Sequence, residues 1–157
     1  MTAALQEGDK APAFNLASDG GGKVSLKSLA GKKVVLYFYP KDDTSGCTRE
    51  AIDFSGMKKD FAKADAEVIG VSPDSVKSHD KFKAKHDLGI VLLSDEDKTM
   101  LEAYGVWTEK SMYGRKYMGV ERSTFLIDSK GKIARIWRKV KVDGHAKEVL
   151  TAAKALG

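Results

Sequence analysis

The stretch 33-KVVLYFYPKDDTSGCTREAIDF-54 carries two structural signals back to back. After Lys33 the side chains are β-branched, aliphatic or aromatic without polar alternation, which predicts a strand over 33–39 buried on both faces. Pro40 cannot donate into a ladder, so it ends that strand. From 48 to 64, Ala51, Phe54, Met57, Phe61 and Ala64 recur near helical spacing and predict a helix. A second buried strand follows at 66-AEVIGVS-72. Strand, helix and strand in succession make a parallel pair with a crossover, the signature of an α/β sheet.

The remaining elements extend that unit on both sides. Upstream, 12-PAFNLASDGGGKVSL-26 reads as two short strands around the turn-rich SDGGG, a hairpin. Downstream, Pro73-Asp74-Ser75 supplies a stop and an N-cap for a helix over 75–87, and a shorter helix over 97–104 follows the Ser94-Asp95 turn. A glycine-dotted loop, 105-GVWTEKSMYGRKYMG-119, leads into strand 123–128, which Ser129-Lys130-Gly131 joins to strand 132–140. Asp143 is placed as the cap of a last helix, 144–156. The order predicts a thioredoxin-like α/β fold: a central mixed sheet flanked by helices, with an N-terminal β-hairpin. At 157 residues the chain fits one domain.

Composition narrows the function classes. Hydrophobic residues are 42% and charged residues 31%, as in an ordinary globular protein. The one cysteine, Cys47, rules out an intramolecular disulfide and any cysteine-based zinc or iron–sulfur site within one chain. A lone thiol fits a reducing compartment. The N-terminus has no basic stretch followed by an apolar one, and the longest apolar run, 34-VVLYFYP-40, is too short to span a bilayer. A cytoplasmic location without membrane contact is expected. The net charge of +5 comes from lysines scattered over the whole length. The densest segment, 135-RIWRKVK-141, alternates like a half-buried edge strand with basic residues outward, a guard against edge pairing. No nucleic-acid motif accompanies the charge, so no nucleic-acid partner is expected.

Cys47 lies where the first central strand hands over to a helix, the usual ligand position in open α/β sheets. Unpaired N–H groups and the helix dipole favour negative charge there, which is what a thiolate nucleophile needs. Gly46 lets the backbone approach a ligand closely, Thr44 offers a hydroxyl on the same turn, and Pro40 sets the course of the loop.

The spacing Pro40, Thr44, Cys47 resembles the P-x-x-x-T-x-x-C signature of the peroxiredoxins, thiol peroxidases on a thioredoxin fold. Segments 7-EGDKAPAFNL-16, 34–54, 69-IGVSPDSVKSHDKFKAKHDL-88, 92-LLSDEDKTMLEAYGVW-107 and 121-ERSTFLIDSKGKI-133 are similar to the bacterioferritin-comigratory-protein (PrxQ) branch. The resemblance implies that Cys47 attacks a peroxide oxygen and becomes a sulfenic acid. Thr44 would hydrogen-bond the peroxide and thiolate, and Arg122 would hold both electrostatically. Glu50 would bond Arg122 or the loop backbone, or serve as a plain helix-terminus carboxylate. Substrates would be hydrogen peroxide and organic hydroperoxides. The reductant would be thioredoxin, or else glutaredoxin or glutathione, with no cofactor and no metal. A relay that passes oxidation from Cys47 to a partner protein is the alternative.

Departures from the branch matter as much. Ser45 stands where proline is common, and the positions where members carry a resolving cysteine are Ile52 and Ala84. The chain therefore reads as a one-cysteine type, a monomer that could form a weak or disulfide-linked homodimer. His79 and His86 are read as solvated or helix-capping rather than metal ligands. Met112, Tyr113, Tyr117 and Met118 either line an apolar approach for bulky hydroperoxides or pack the 105–119 loop against the sheet. No nucleotide-binding glycine motif is present.

Overall fold

The computed structural model describes residues 4–156. A hairpin of β1 (Asn15–Ala17) and β2 (Lys23–Ser25) leads to β3 (Lys33–Phe38), α1 (Ser45–Gly56), α2 (Lys58–Lys63) and β4 (Ala66–Ser72). Then come α3 (Val76–His86), β5 (Val91–Ser94), α4 (Thr99–Ala103), β6 (Trp107–Met112) and β7 (Arg115–Val120). The chain finishes with β8 (Ser123–Ile127), β9 (Ile133–Trp137) and α5 (His145–Ala155). The main sheet runs β5-β4-β3-β8-β9, with β3, β4 and β5 parallel and β8 antiparallel to both β3 and β9. This is the mixed, helix-flanked sheet that the element order predicts, and the N-terminal hairpin is present.

β3 is central, so both of its faces are covered, and that is why its sequence lacks polar alternation. Val35, Tyr37 and Tyr39 join Ala51, Phe54, Phe61, Phe82 and Val149 under the helices of one face. Val34, Leu36 and Phe38 meet Phe14, Leu101, Tyr104 and Phe125 on the other. Tyr37 stacks on Phe54 at a centroid distance of 4.7 Å. Its ring lies over its register partner Gly70, where a Cβ would come within 2.7 Å of Tyr37 Cζ. Each such buried aromatic contributes about 1.5–3 kcal/mol of hydrophobic stabilisation.

Several sequence expectations are corrected. The helix predicted over 48–64 starts at Ser45 and breaks after Gly56, where Met57 leaves helical geometry at φ −103° and ψ 7°. Apolar spacing continues through Phe54, Met57 and Phe61, so periodicity alone could not reveal the break; Gly56 was the local sign. β5, which the sequence does not predict, extends the same sheet beside β4 and is only four residues long. The loop predicted over 105–119 is the hairpin β6–β7, turned by Tyr113 (φ 53°) and Gly114 (φ 77°). Positive φ at both central residues suits a two-residue hairpin turn, and tyrosine in the first place disguised it. Asp143 does not cap α5: Gly144 is the N-cap, and Asp143 instead accepts from Arg49 Nη2 at 2.7 Å.

Other expectations hold. Ser75 caps α3 by accepting the Ser78 N–H at 3.1 Å. The strand predicted over 132–140 ends earlier, at Trp137, but it is the edge strand β9, with Arg135 exposed on it and Arg138 exposed just beyond. No helix among the described residues is long and apolar enough to cross a membrane.

Candidate active site around Cys47

The parallel arrangement of β3 and β4 aims the loop after Phe38 toward the edge where α1 begins. Tyr39 N–H still bonds the Val71 carbonyl at 3.1 Å, and half-buried Pro40 then turns the chain out of the sheet. Thr44 is the N-cap residue of α1, its carbonyl accepting the Thr48 N–H at 2.8 Å. Cys47 follows in the first turn, 1% exposed, among the N–H groups that a helix leaves without intrahelical partners.

Arg122, immediately before β8, reaches this turn from the neighbouring strand. Its Nη2 donates to Cys47 Sγ at 3.3 Å and its Nη1 to Glu50 Oε1 at 2.6 Å. The antiparallel pairing of Phe38 with Ser123 sets that approach, because it places residue 122 beside the exit of β3. Backbone support comes from Val140, whose N–H donates to the Arg122 carbonyl at 2.9 Å. Gly46 makes room: a Cβ there would lie 3.2 Å from Arg122 Nη2. Cys47 and Arg122, 75 residues apart in sequence, thus form one cluster with Glu50 and Gly46.

Thr44 stands apart from the sulfur in this arrangement. Its exposed hydroxyl donates to the Lys41 carbonyl at 2.9 Å rather than to Cys47. Glu50 bonds Arg122 and is not a surface carboxylate: it is 1% exposed, and its second oxygen, Oε2, is buried with no hydrogen-bond partner among the described residues. Burial pushes its carboxyl up to about 7, against the opposing pull of the Arg122 charge. Arg122 joins a buried carboxylate to a buried sulfur.

A cavity of about 370 Å³ opens beside Arg122, lined also by Lys110, Glu121 and Lys139. Lys110 is half-buried on β6, and burial together with the Arg122 charge lowers its pKa. Met112, Tyr113, Tyr117 and Met118 do not line this cavity, nor do they pack against the main sheet. All four are exposed on the β6–β7 hairpin. Ile52 is exposed on α1 and Ala84 on α3.

The histidines are the clearest surprise. His79 is wholly buried and contacts Asp42, while half-buried His86 bonds Asp43 at 2.9 Å. The pair Asp42-Asp43, just ahead of Thr44, was the available signal, but the partners lie 37 and 43 residues away. Asp42, Asp74 and His79 bring potential ligand atoms together, but those atoms are engaged by hydrogen bonds within the protein. His145, also buried, sits 2.8 Å from Thr124 Oγ1, and burial lowers its pKa to about 4, so it is neutral.

Comparison with known proteins assigns the chain to a family. Residues 7–136 match the AhpC/TSA family. Peroxiredoxin Bcp of Bacillus subtilis is 51% identical over 150 residues, covering 96% of each chain. Peroxiredoxin Bcp of Escherichia coli is 40% identical over the same coverage. Among solved structures, the PrxQ of Xylella fastidiosa superposes with a TM-score of 0.93 at 41% identity, covering 98% of each chain. The bacterioferritin comigratory protein of Xanthomonas campestris, described for its alkyl peroxide reduction activity, gives 0.87 at 48% identity over 90% of each chain. The chain therefore belongs to the AhpC/TSA family, and within it to the Bcp/PrxQ peroxiredoxins.

Proposed function

We propose that Cys47 is the peroxidatic nucleophile of this peroxiredoxin, and that the Arg122 contact at 3.3 Å is the observation that carries the assignment. The chain is a thiol-dependent, peroxide-reducing oxidoreductase by its family. In the first half-reaction the Cys47 thiolate attacks one peroxide oxygen, an S–O bond forms and the O–O bond breaks. The departing oxygen takes a proton and leaves as water or alcohol. The Arg122 guanidinium and the N–H groups of the first turn of α1 stabilise the negative charge as it moves from sulfur to that oxygen. Thr44 is given the role of hydrogen-bonding the bound peroxide, which requires its hydroxyl to turn from Lys41. Pro40 and Gly46 shape the loop, and Glu50 holds Arg122 in place.

In the second half-reaction a reductant thiol attacks the sulfenic sulfur and releases water, and a second thiol then frees Cys47 by exchange. Neither Ile52 nor Ala84 is a cysteine, so both thiols come from outside the chain. Thioredoxin is the proposed donor, with glutaredoxin or glutathione as substitutes. Hydrogen peroxide and organic hydroperoxides are the proposed substrates, the latter supported by the alkyl peroxide activity of the Xanthomonas relative. The working unit is proposed as a single-domain cytoplasmic monomer. NADPH consumption with thioredoxin and its reductase tests the reading: repeated turnover is expected, abolished in Cys47→Ser. Oxidation of Cys47 without turnover by any of these thiols would favour the relay instead.

A further inference from the structure

Five residues ahead of Cys47, the loop leaving β3 is tied to α3 by a buried charge network. The Asp42 carboxylate accepts from Tyr39 Oη at 2.6 Å and Ser78 Oγ at 2.7 Å, and it faces His79 Nδ1 at 2.7 Å. The Asp42 N–H donates to Asp74 Oδ2 at 2.8 Å. On its other side, His79 Nε2 lies 2.9 Å from the Leu93 carbonyl, which can only accept, so Nε2 carries a proton. The groups facing the imidazole are therefore Asp42 from the loop, Tyr39 at the end of β3 (3.4 Å), Asp74 from the β4–α3 turn and the Leu93 carbonyl of β5. Burial alone would lower the His79 pKa; the Asp42 bond and charge, the carbonyl and Asp74 outweigh it and raise it. Asp43, left-handed at φ 60°, adds surface pairs to Lys85 (2.7 Å) and His86 (2.9 Å) on the same helix.

Cys47 is 1% exposed, so a thiol larger than a peroxide reaches its sulfur only if the loop and first turn of α1 move. Exposed pairs such as Asp43–Lys85 contribute little to holding that loop, whereas a buried pair is felt strongly when one partner is lost. We propose that the buried Asp42–His79 pair is the latch of the Cys47 loop. Closed, it positions the first turn of α1 against Arg122; released, it lets that turn swing out and expose the sulfur. Asp42 and His79 are positioning residues, since neither hydrogen-bonds Cys47. The inference rests on Cys47 being the reactive thiol. A raised histidine pKa contributes stability that is present below the unfolded value and lost as pH rises through the folded one. The latch therefore weakens as pH rises.

The test compares the reduced, folded chain's reaction with a bulky aromatic disulfide (DTNB) and with hydrogen peroxide. The ratio of the two rate constants cancels the ionisation of the sulfur itself. In the wild type this ratio should rise with pH. In His79→Gln it should be higher by about tenfold or more at neutral pH, and flat with pH, because Asp42 has lost its buried counter-charge. Ser78→Ala, which removes one donor to Asp42, should shift the ratio the same way by less, and it decides the matter if His79→Gln does not fold. DTNB labelling should be almost independent of urea below the unfolding transition, since a local opening exposes little surface. A steep urea dependence, a pH-independent wild-type ratio, or unchanged ratios in the variants would overturn the latch. Failure to consume peroxide counts against the peroxidase assignment instead, and DTNB labelling with its urea dependence still decides the latch.

Discussion

Replacing Arg122 by methionine removes the guanidinium while keeping much of the side chain's volume, and so isolates what its charge does for Cys47. A unit charge pair about 4 Å apart, in surroundings with an effective dielectric near 20, interacts by roughly 4 kcal/mol. Part of that acts equally on the resting thiolate and on the transition state. Removing one positioned donor from comparable anion-stabilising sites costs about 2.7–4 kcal/mol in the barrier, or about 10²–10³ in rate. The helix N–H groups remain in the variant, so the lower end applies, and the second-order rate constant with hydrogen peroxide should fall about a hundredfold. The fold should survive, for a reason specific to Glu50. Without the Arg122 charge that opposes burial, its carboxyl rises further from about 7 and is neutral at the assay pH, leaving no stranded charge. Stopped-flow fluorescence of the reduced protein gives the rate, with Trp107 or Trp137 as reporter. Arg122→Lys should recover only part of the loss, because one ammonium cannot present the two separate donors that reach Sγ and Oε1. A methionine variant within about threefold of wild type, under 1 kcal/mol, would refute the electrostatic argument.

Gly70→Ala should destabilise the fold by about 1–3 kcal/mol, because its Cβ would meet Tyr37 Cζ at 2.7 Å in a fully packed core; urea midpoints measure it, and an unchanged midpoint contradicts the packing. For Glu50, whose folded value of about 7 lies above its ordinary 4.5, the native state holds the extra proton, so stability falls as pH rises across that window. Glu50→Gln should remove this slope, on the order of 3 kcal/mol between pH 5 and 8, in paired urea titrations; parallel profiles for the two proteins would contradict it. With one cysteine per chain, stoichiometric peroxide without reductant should give a dimedone-reactive monomer one oxygen heavier, and excess peroxide should add a second oxygen and end activity. Intact mass checks this, and an unmodified, folded chain under excess peroxide is the contrary result.

Signals that act within a few residues were legible in the sequence. The unbroken apolar run of β3 announced a central strand, Ser75 announced the start of α3, and Cys47 fell at a strand-to-helix junction before any partner was known. Such features arise from side-chain periodicity and from caps three residues away, which the chain carries locally. Arg122 was legible only through resemblance, since no local pattern links residue 122 to residue 47.

What the tertiary structure decided were the pairings between segments. Among the described strands the β6–β7 hairpin pairs only with itself and leaves Met112, Tyr113, Tyr117 and Met118 exposed; Val120 is its one fully buried residue, so no alternating pattern marks it. Gly56 ends α1 where Phe54 and Phe61 both face the core, a break that hydrophobic spacing conceals. The burial of His79 follows from the placement of α3 beside the β3 exit and β5, which brings Asp42 and the Leu93 carbonyl to opposite sides of one ring. A buried ion pair depends on both partners leaving water together, so neither Asp42 nor His79 marks it alone. The sequence by itself determined which residue could react; the packing of α3 and β8 against the end of β3 determined what surrounds it, because those contacts exist only once strands distant in sequence share a sheet.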